Sequence, residues 1–207
     1  MGANLMDADW SVELGRDDAA LEFPWSSPDG SQRYVDLQRQ PERLTEIPEA
    51  TRFPELGEFL LALNQPQSSW LTAKCDVWLD AELDEAEAIY EAKAKQCSYV
   101  DLVACEEPAR FSFERHEQWA RAAARALTSD DALTVACEFI VRRCWYHTEV
   151  SSLRAGDDAE TPGEGHPVPG FYVTFYLSGY GDDEPQAQAR WAEGLQRVTW
   201  VLTALAA

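Results

Sequence analysis

Lysine is nearly missing from this chain. Only Lys74, Lys93 and Lys95 occur among 207 residues, and histidine is as scarce (His116, His147, His166). With 17 basic against 37 acidic residues the formal charge is −20. A surface of that sign repels phosphate backbones and anionic lipid, so neither nucleic acid nor membrane is expected as a partner. Long apolar runs are absent too: the densest, Phe59–Leu63, has five residues, where a bilayer span needs about 20. The first residues, MGANLMDADW, show no basic, apolar leader, and Met6 stands where a myristoylation signal requires Ser or Thr.

The five cysteines (Cys75, Cys97, Cys105, Cys137, Cys144) are odd in number and include no C-x-x-C spacing. A disulfide framework or a thiolate zinc site is therefore not expected, and the cytoplasm is the expected compartment. The phosphate-cradling patterns G-x-x-x-x-G-K-[ST] and G-x-G-x-x-G are missing, as is the nucleophile elbow G-x-S-x-G. Cys144 and His147, three apart at a strand end, point to opposite faces of an extended chain. His116 borders an apolar helix stripe as a structural side chain, and His166 lies in a loop. The acid run Asp80, Glu82, Asp84, Glu85, Glu87 lacks the glycine and spacing of a calcium loop. No catalytic residue, metal ligand or cofactor is assigned. The pairing of few lysines with many arginines and alanines fits GC-rich coding, as in many bacteria, better than salt adaptation.

What is present is core-forming material: 45% apolar and 11% aromatic residues. At this length folding removes roughly 70% of the unfolded surface from water, so a disordered chain is excluded. The negative charge is spread along the sequence. The exception is residues 108–155, where seven bases face six acids and Glu117 precedes Arg121 by one helical turn.

The periodicities predict an α+β fold. Residues 1–18 read as an irregular lead-in. Leu21–Trp25 and Arg33–Leu37 read as short strands around the turn Ser26–Gly30, followed by a loop from Pro41 to Pro48. A helix opens at Pro54 and buries Leu56, Phe59, Leu60 and Leu63. Trp70–Leu79 alternates as a strand, with Leu71, Ala73, Cys75, Val77 and Leu79 on one face. Asp80–Lys95 reads as a weakly amphipathic helix, Cys97–Cys105 as a strand and Phe111–Phe113 as a short strand. A helix from Arg115 to Leu127 has Trp119, Ala123 and Leu127 inward. Leu133–Trp145 and Phe171–Ser178 are strands joined by a mobile loop over 151–169. A final helix starts near Pro185, where Asp182 and Asp183 suit its positive end, and carries Trp191, Leu195, Val198, Leu202 and Leu205 on one face.

The expected architecture is an antiparallel or mixed sheet with three to four helices mainly on one face, as one domain over 19–207. Two tandem β-α-β halves, 19–95 and 96–207, stay open. Tyr34-Val35-Asp36-Leu37 is echoed by Tyr99-Val100-Asp101-Leu102, and Thr72–Asp76 by Thr134–Glu138.

Strand parity then assembles a second sheet face away from the helices. It would carry Tyr34, Asp36, Trp70, Asp76, Trp78, Tyr99, Asp101, Glu138, Arg142, Tyr172 and Tyr176, with Thr72, Lys74, Thr134 and Thr174 between them. Rings give contact area and carboxylates steer a cationic partner, so the expected function is noncatalytic binding or inhibition of a basic protein. A bacterial immunity protein that blocks a cationic toxin has this physical character. The alternative is a small enzyme using Asp36, Asp76, Asp101 or Glu138 as acid, base or metal ligand. Oligomeric state is not legible.

Overall fold

The computed structural model describes residues 6–83, 89–128, 134–147 and 167–205. It is an α+β fold with an open, mixed sheet of six strands: β1 (Met6–Glu13), β2 (Ala20–Phe23), β3 (Trp70–Asp80), β4 (Ala94–Ala104), β5 (Val135–Tyr146) and β6 (Val168–Gly181). The helices are α1 (Pro48–Arg52), α2 (Pro54–Leu63), α3 (Glu107–Arg110), α4 (Phe113–Leu127) and α5 (Glu184–Leu205). Strand order runs β1-β5-β6-β4-β3, and β2 continues the β1 edge by pairing with the last residues of β5. Both β1 and β2 run parallel to β5, and the other pairings are antiparallel. No helix among the described residues is long and apolar enough to cross a membrane.

One face of the sheet is roofed by α2, α4 and α5. Val135, Cys137, Phe139 and Val141 of β5, and Val173, Phe175 and Leu177 of β6, meet Leu56, Phe59, Leu60 and Leu63 of α2 and Trp191, Leu195, Val198 and Leu202 of α5. Those are the stripes that the two periodicities select. Aromatic contacts thread this core. Phe59 stacks on Phe175 and Phe175 on Phe139 (centroids 5.7 and 5.0 Å), Phe139 meets Trp119 edge-on, and Trp119 lies 4.3 Å from Trp70. Trp191 Nε1 donates to Ser98 Oγ (2.9 Å), satisfying the one polar atom of a fully buried indole.

Several expectations are corrected. The N-terminal lead-in forms edge strand β1, because Met6, Ala8 and Trp10 alternate toward α4. Arg33–Leu37 makes only an isolated bridge, Ser26 to Arg33, and Val35 and Leu37 drop into the core from a loop. The segment 41–48 holds a 3₁₀ turn (Pro41–Glu46) and the start of α1 rather than plain loop. The described parts of the segment Asp80–Lys95, read as a helix, are strand ends and a tight turn. β3 runs to Asp80, Ile89–Glu91 make one tight turn with Tyr90 and Glu91 at positive φ, and β4 begins at Ala94; residues 84–88 lie outside the described set. Phe111–Phe113 belongs to the α3–α4 connection and the first turn of α4, whose inner face is His116, Ala120, Ala123, Ala124 and Leu127, with Trp119 half-buried. The loop expected over 151–169 falls almost wholly outside the described residues. The first echo joins a loop (Tyr34–Leu37) to a strand (Tyr99–Leu102), so it is not a repeated element.

The junction of β6 and α5 is set by Gly179 and Gly181. A Cβ on Gly179 would lie 2.3 Å from Trp191 N and 2.6 Å from Ala187 O, both backbone atoms of α5. Alanine at position 179 is therefore expected to push α5 off the sheet and to cost at least about 2 kcal/mol, read as a lower urea midpoint at unchanged slope.

Candidate functional site

β3 does not keep one parity. Its register against β4 shifts between Thr72 and Lys74, leaving Ala73 as the extra residue of a bulge. Before the bulge Trp70 and Thr72 face the helices. Trp70 is 7% exposed against Trp119 and His116, and Thr72 exchanges hydrogen bonds with Asn64 at the end of α2. After it Cys75 and Val77 face the helices, while Lys74, Asp76 and Trp78 face away. The bulged carbonyl, Ala73 O, accepts Trp25 Nε1 at 2.6 Å. Trp70 and Thr72 are accordingly removed from the proposed face.

Tyr34 and Asp36 are removed from its rows as well, since neither lies in a strand. Chain 20–37 folds over one end of the face instead. There Leu21, Phe23, Leu71, Ala73, Val103, Cys144, Tyr146 and Tyr172 form a second apolar cluster, with Trp25 and Tyr34 packed on it. Tyr34 meets Phe23 edge-on at 4.7 Å, and the Arg110 guanidinium caps the rings of Phe23 and Tyr146. Asp36 pairs locally with Arg39. Tyr172, expected as a contact residue, is sealed beneath this cover.

The remainder of the face is uncovered by any helix of the described chain, and its register is continuous. Asp76 pairs with Tyr99, Tyr99 with Tyr176, Tyr176 with Glu138 and Glu138 with Asp9. One row across five strands therefore reads acid, tyrosine, tyrosine, acid, acid. At the usual strand spacing it spans roughly 19 Å. The two rings lie 5.8 Å apart, and Ser11 Oγ donates to Glu138 Oε1 (2.7 Å). Trp78, 37% exposed, flanks the row beside Cys97.

The next two rows hold a polar chain whose inner members, Thr174 and Asp101, are buried. Arg142 donates through Nε and Nη2 to Glu13 Oε2 (2.8 and 2.6 Å), and through Nη1 to Thr174 Oγ1 (3.1 Å) and Tyr176 Oη (3.3 Å). Thr174 in turn donates to Asp101 Oδ1 at 2.8 Å. Asp101 is only 5% exposed, and burial pushes its carboxyl up to about 6 against the pull of Thr174, Lys74 and Arg142. Burial and the charges of Asp101 and Asp76 likewise hold Tyr99 well above the usual phenol range, so it presents a neutral O–H. The Lys74 ammonium rests over Trp25 and Tyr99, 5.5 and 5.9 Å from the ring centroids.

Charge on this face is uneven. The acids are Asp7, Asp9, Glu13, Asp76, Asp80, Asp101 and Glu138, and the bases are Lys74, Lys95 and Arg142. Glu13 is matched by Arg142 and Asp80 by Lys95 (3.4 Å), and Asp101 is buried. Asp9, Asp76 and Glu138 carry no ion pair among the described residues, and these are the acids of the tyrosine row. They do not converge on a reacting atom. Asp76 and Glu138 stand three strands apart, about 14 Å, and Asp36 lies on the covering loop. The raised carboxyl of Asp101 comes from burial, not from a second carboxylate beside it. No cluster of three or more metal-ligating side chains occurs among the described residues.

A cleft of about 970 Å³ lies at the β3 edge of this face. Thr72–Asp76 and Tyr99 form one wall, Gly30–Arg33 the second and Glu46–Glu49 the third, with Trp25 at its end. Sequence reasoning missed it. Only the proline pair Pro41 and Pro48 marks the turn that raises the third wall.

The Asp101 carboxyl gives a pH test. Its folded value lies above the ordinary 3.8, so the native state holds the proton more tightly and loses stability as pH rises from about 4 to 6. Asp101→Asn removes that loss while keeping an acceptor for Thr174. Relative to the variant, the wild type is expected to lose up to about 3 kcal/mol between pH 4 and pH 7, measured by urea unfolding at both values.

No family model, no curated protein and no solved structure matches this chain, so its function is argued from the face itself.

Proposed function

We propose that the protein is a noncatalytic binding protein that holds a basic protein partner on its open sheet face. The observation that supports this most directly is the row Asp76–Tyr99–Tyr176–Glu138–Asp9, in which two adjacent tyrosines sit between carboxylates that have no ion pair among the described residues. Like charges left uncompensated on one face cost stability in the free protein and are neutralised when cationic side chains arrive. Tyrosine supplies wide contact area with only two rotors to freeze, and Trp78 extends that area at the flank. A row roughly 19 Å wide on a sheet suits a protein surface better than a small ligand, which prefers an enclosed hollow.

The polar chain Glu13–Arg142–Thr174–Asp101 lies beside the tyrosine row. It fixes Tyr176 from one side through Arg142, so that the ring is ordered before the partner docks. An inhibitor of a cationic toxin, of the kind that protects a bacterium from its own product, would use such a surface.

The test compares wild type with a Tyr99→Ala/Tyr176→Ala double variant of matched thermal stability, as baits in host lysate at low salt. Wild type is expected to retain one or more cationic proteins, released by about 0.5 M salt. The variant is expected to hold them at least about 30-fold more weakly, the scale of a central aromatic pair. Equal retention by both baits, or retention of acidic proteins only, overturns the proposal.

A further inference from the structure

The two edges of the sheet carry the same local device. On β1, Asp9 Oδ1 accepts the backbone N–H of Trp10, and on β3, Asp76 Oδ1 accepts that of Val77, each at 2.7 Å. Within a sheet such an N–H would meet the carbonyl of a neighbouring strand. At an edge it faces outward, and the side chain of the preceding aspartate takes the place of the missing strand. An outward donor of this sort is a template for another chain.

The edges differ in what stands beside them. Beside β1 is a groove of about 420 Å³ lined by Arg121 and Arg125, which repels a cationic segment. Beside β3 is the cleft of about 970 Å³, lined by Arg33 and Lys74 as well as by Glu46, Glu49 and Asp76; Lys74 rests over Trp25 and Tyr99 and Glu46 pairs with Arg43, while Asp76 and Glu49 have no ion pair among the described residues. Its near end is already closed, since Trp25 takes the Ala73 carbonyl. Beyond that point the edge runs on through Cys75, Val77 and Leu79.

We propose that this cleft accepts an extended Lys/Arg-bearing segment of the basic partner as an added strand along β3, a refinement that rests on the binding function argued above. The carbonyl of the incoming segment takes the Val77 N–H. Asp76 is thereby released to meet a cationic side chain of the segment, and Glu49 receives another from the far wall. Backbone pairing provides the affinity and the carboxylates select the charge. A second copy of this chain fits badly, because edge-to-edge pairing would set Asp76 and Asp80 of one copy against the same acids of the other.

The probe is an acetylated, amidated octapeptide of alternating lysine and valine, with two controls: the same peptide N-methylated at alternate residues, and its glutamate–valine counterpart. Binding is followed by tryptophan fluorescence and by amide hydrogen exchange. The lysine peptide is expected to saturate and to slow exchange at Val77 and its neighbours. N-methylation, or Asp76→Asn, is expected to weaken it about 10-fold, and the glutamate peptide is expected not to bind. Equal binding of the N-methylated peptide overturns strand addition while leaving the acidic face intact, and so does no peptide binding by a protein that still retains its partner from lysate. Peptide binding that persists while Tyr99→Ala/Tyr176→Ala retains the partner normally overturns the face and leaves the edge. A concentration-dependent dimer with Val77 already protected assigns the edge to a second copy and overturns the proposal.

Discussion

The pleat of β3, β4, β5 and β6 determines nearly everything else in the molecule. Alternation sends Val100, Leu102, Phe139, Val141, Val173 and Phe175 under the helices, and by the same geometry sends Tyr99, Asp101, Glu138, Arg142, Thr174 and Tyr176 the other way. The core and the candidate site are therefore two readings of one register. A slip of one residue would expose the aromatic core and bury the acids, which is why the register is strongly held. Only β3 departs from the alternation, and it does so where two distant side chains, Asn64 and Trp25, stand ready to satisfy the displaced groups.

That exception also marks the boundary of what could be read from residue patterns. β4, β5 and β6 are two-faced strands and α2 and α5 have clear apolar stripes, and there the inward side chains follow from spacing, except that Leu205 at the end of α5 is exposed and Val201 is buried in its place. Trp70 and Thr72 could not be placed, because the bulge depends on partners six or more residues away on other elements. The Tyr34–Leu37 segment failed for a related reason. Its alternation is real, but its apolar residues fill a gap under a loop rather than joining a ladder. Within the site, Asp76, Tyr99, Glu138 and Tyr176 were legible, whereas Asp9 was hidden in a segment read as an irregular lead-in, and the assembly into one row required the pairing register, which no local pattern carries.

The same register separates two kinds of acid. Asp101, Glu13 and Asp80 are engaged with Thr174, Arg142 and Lys95, and hold strands to one another. Asp9, Asp76 and Glu138 are not matched in this way, although they stand within a strand or two of these pairs. Burial of Asp101 leaves the outer row with tyrosine at its centre and charge at its ends, an arrangement closer to an interface hot spot with a polar rim than to a catalytic constellation. The covering loop 20–37 sharpens this by closing off Tyr172 at one end and framing the cleft at the other.

The parallel pairing of β1 with β5 has a consequence for biosynthesis. Met6 meets Val135, a separation of 129 positions, and β1 thus leaves the ribosome long before β5, the neighbour it pairs with. During that interval its alternating Ala8, Trp10 and Val12 have no helix to cover them, while Asp7, Asp9 and Glu13 on the opposite side keep the nascent segment hydrated and apart from its copies on the same messenger. The acids of β1 thus serve as gatekeepers before there is any sheet to decorate.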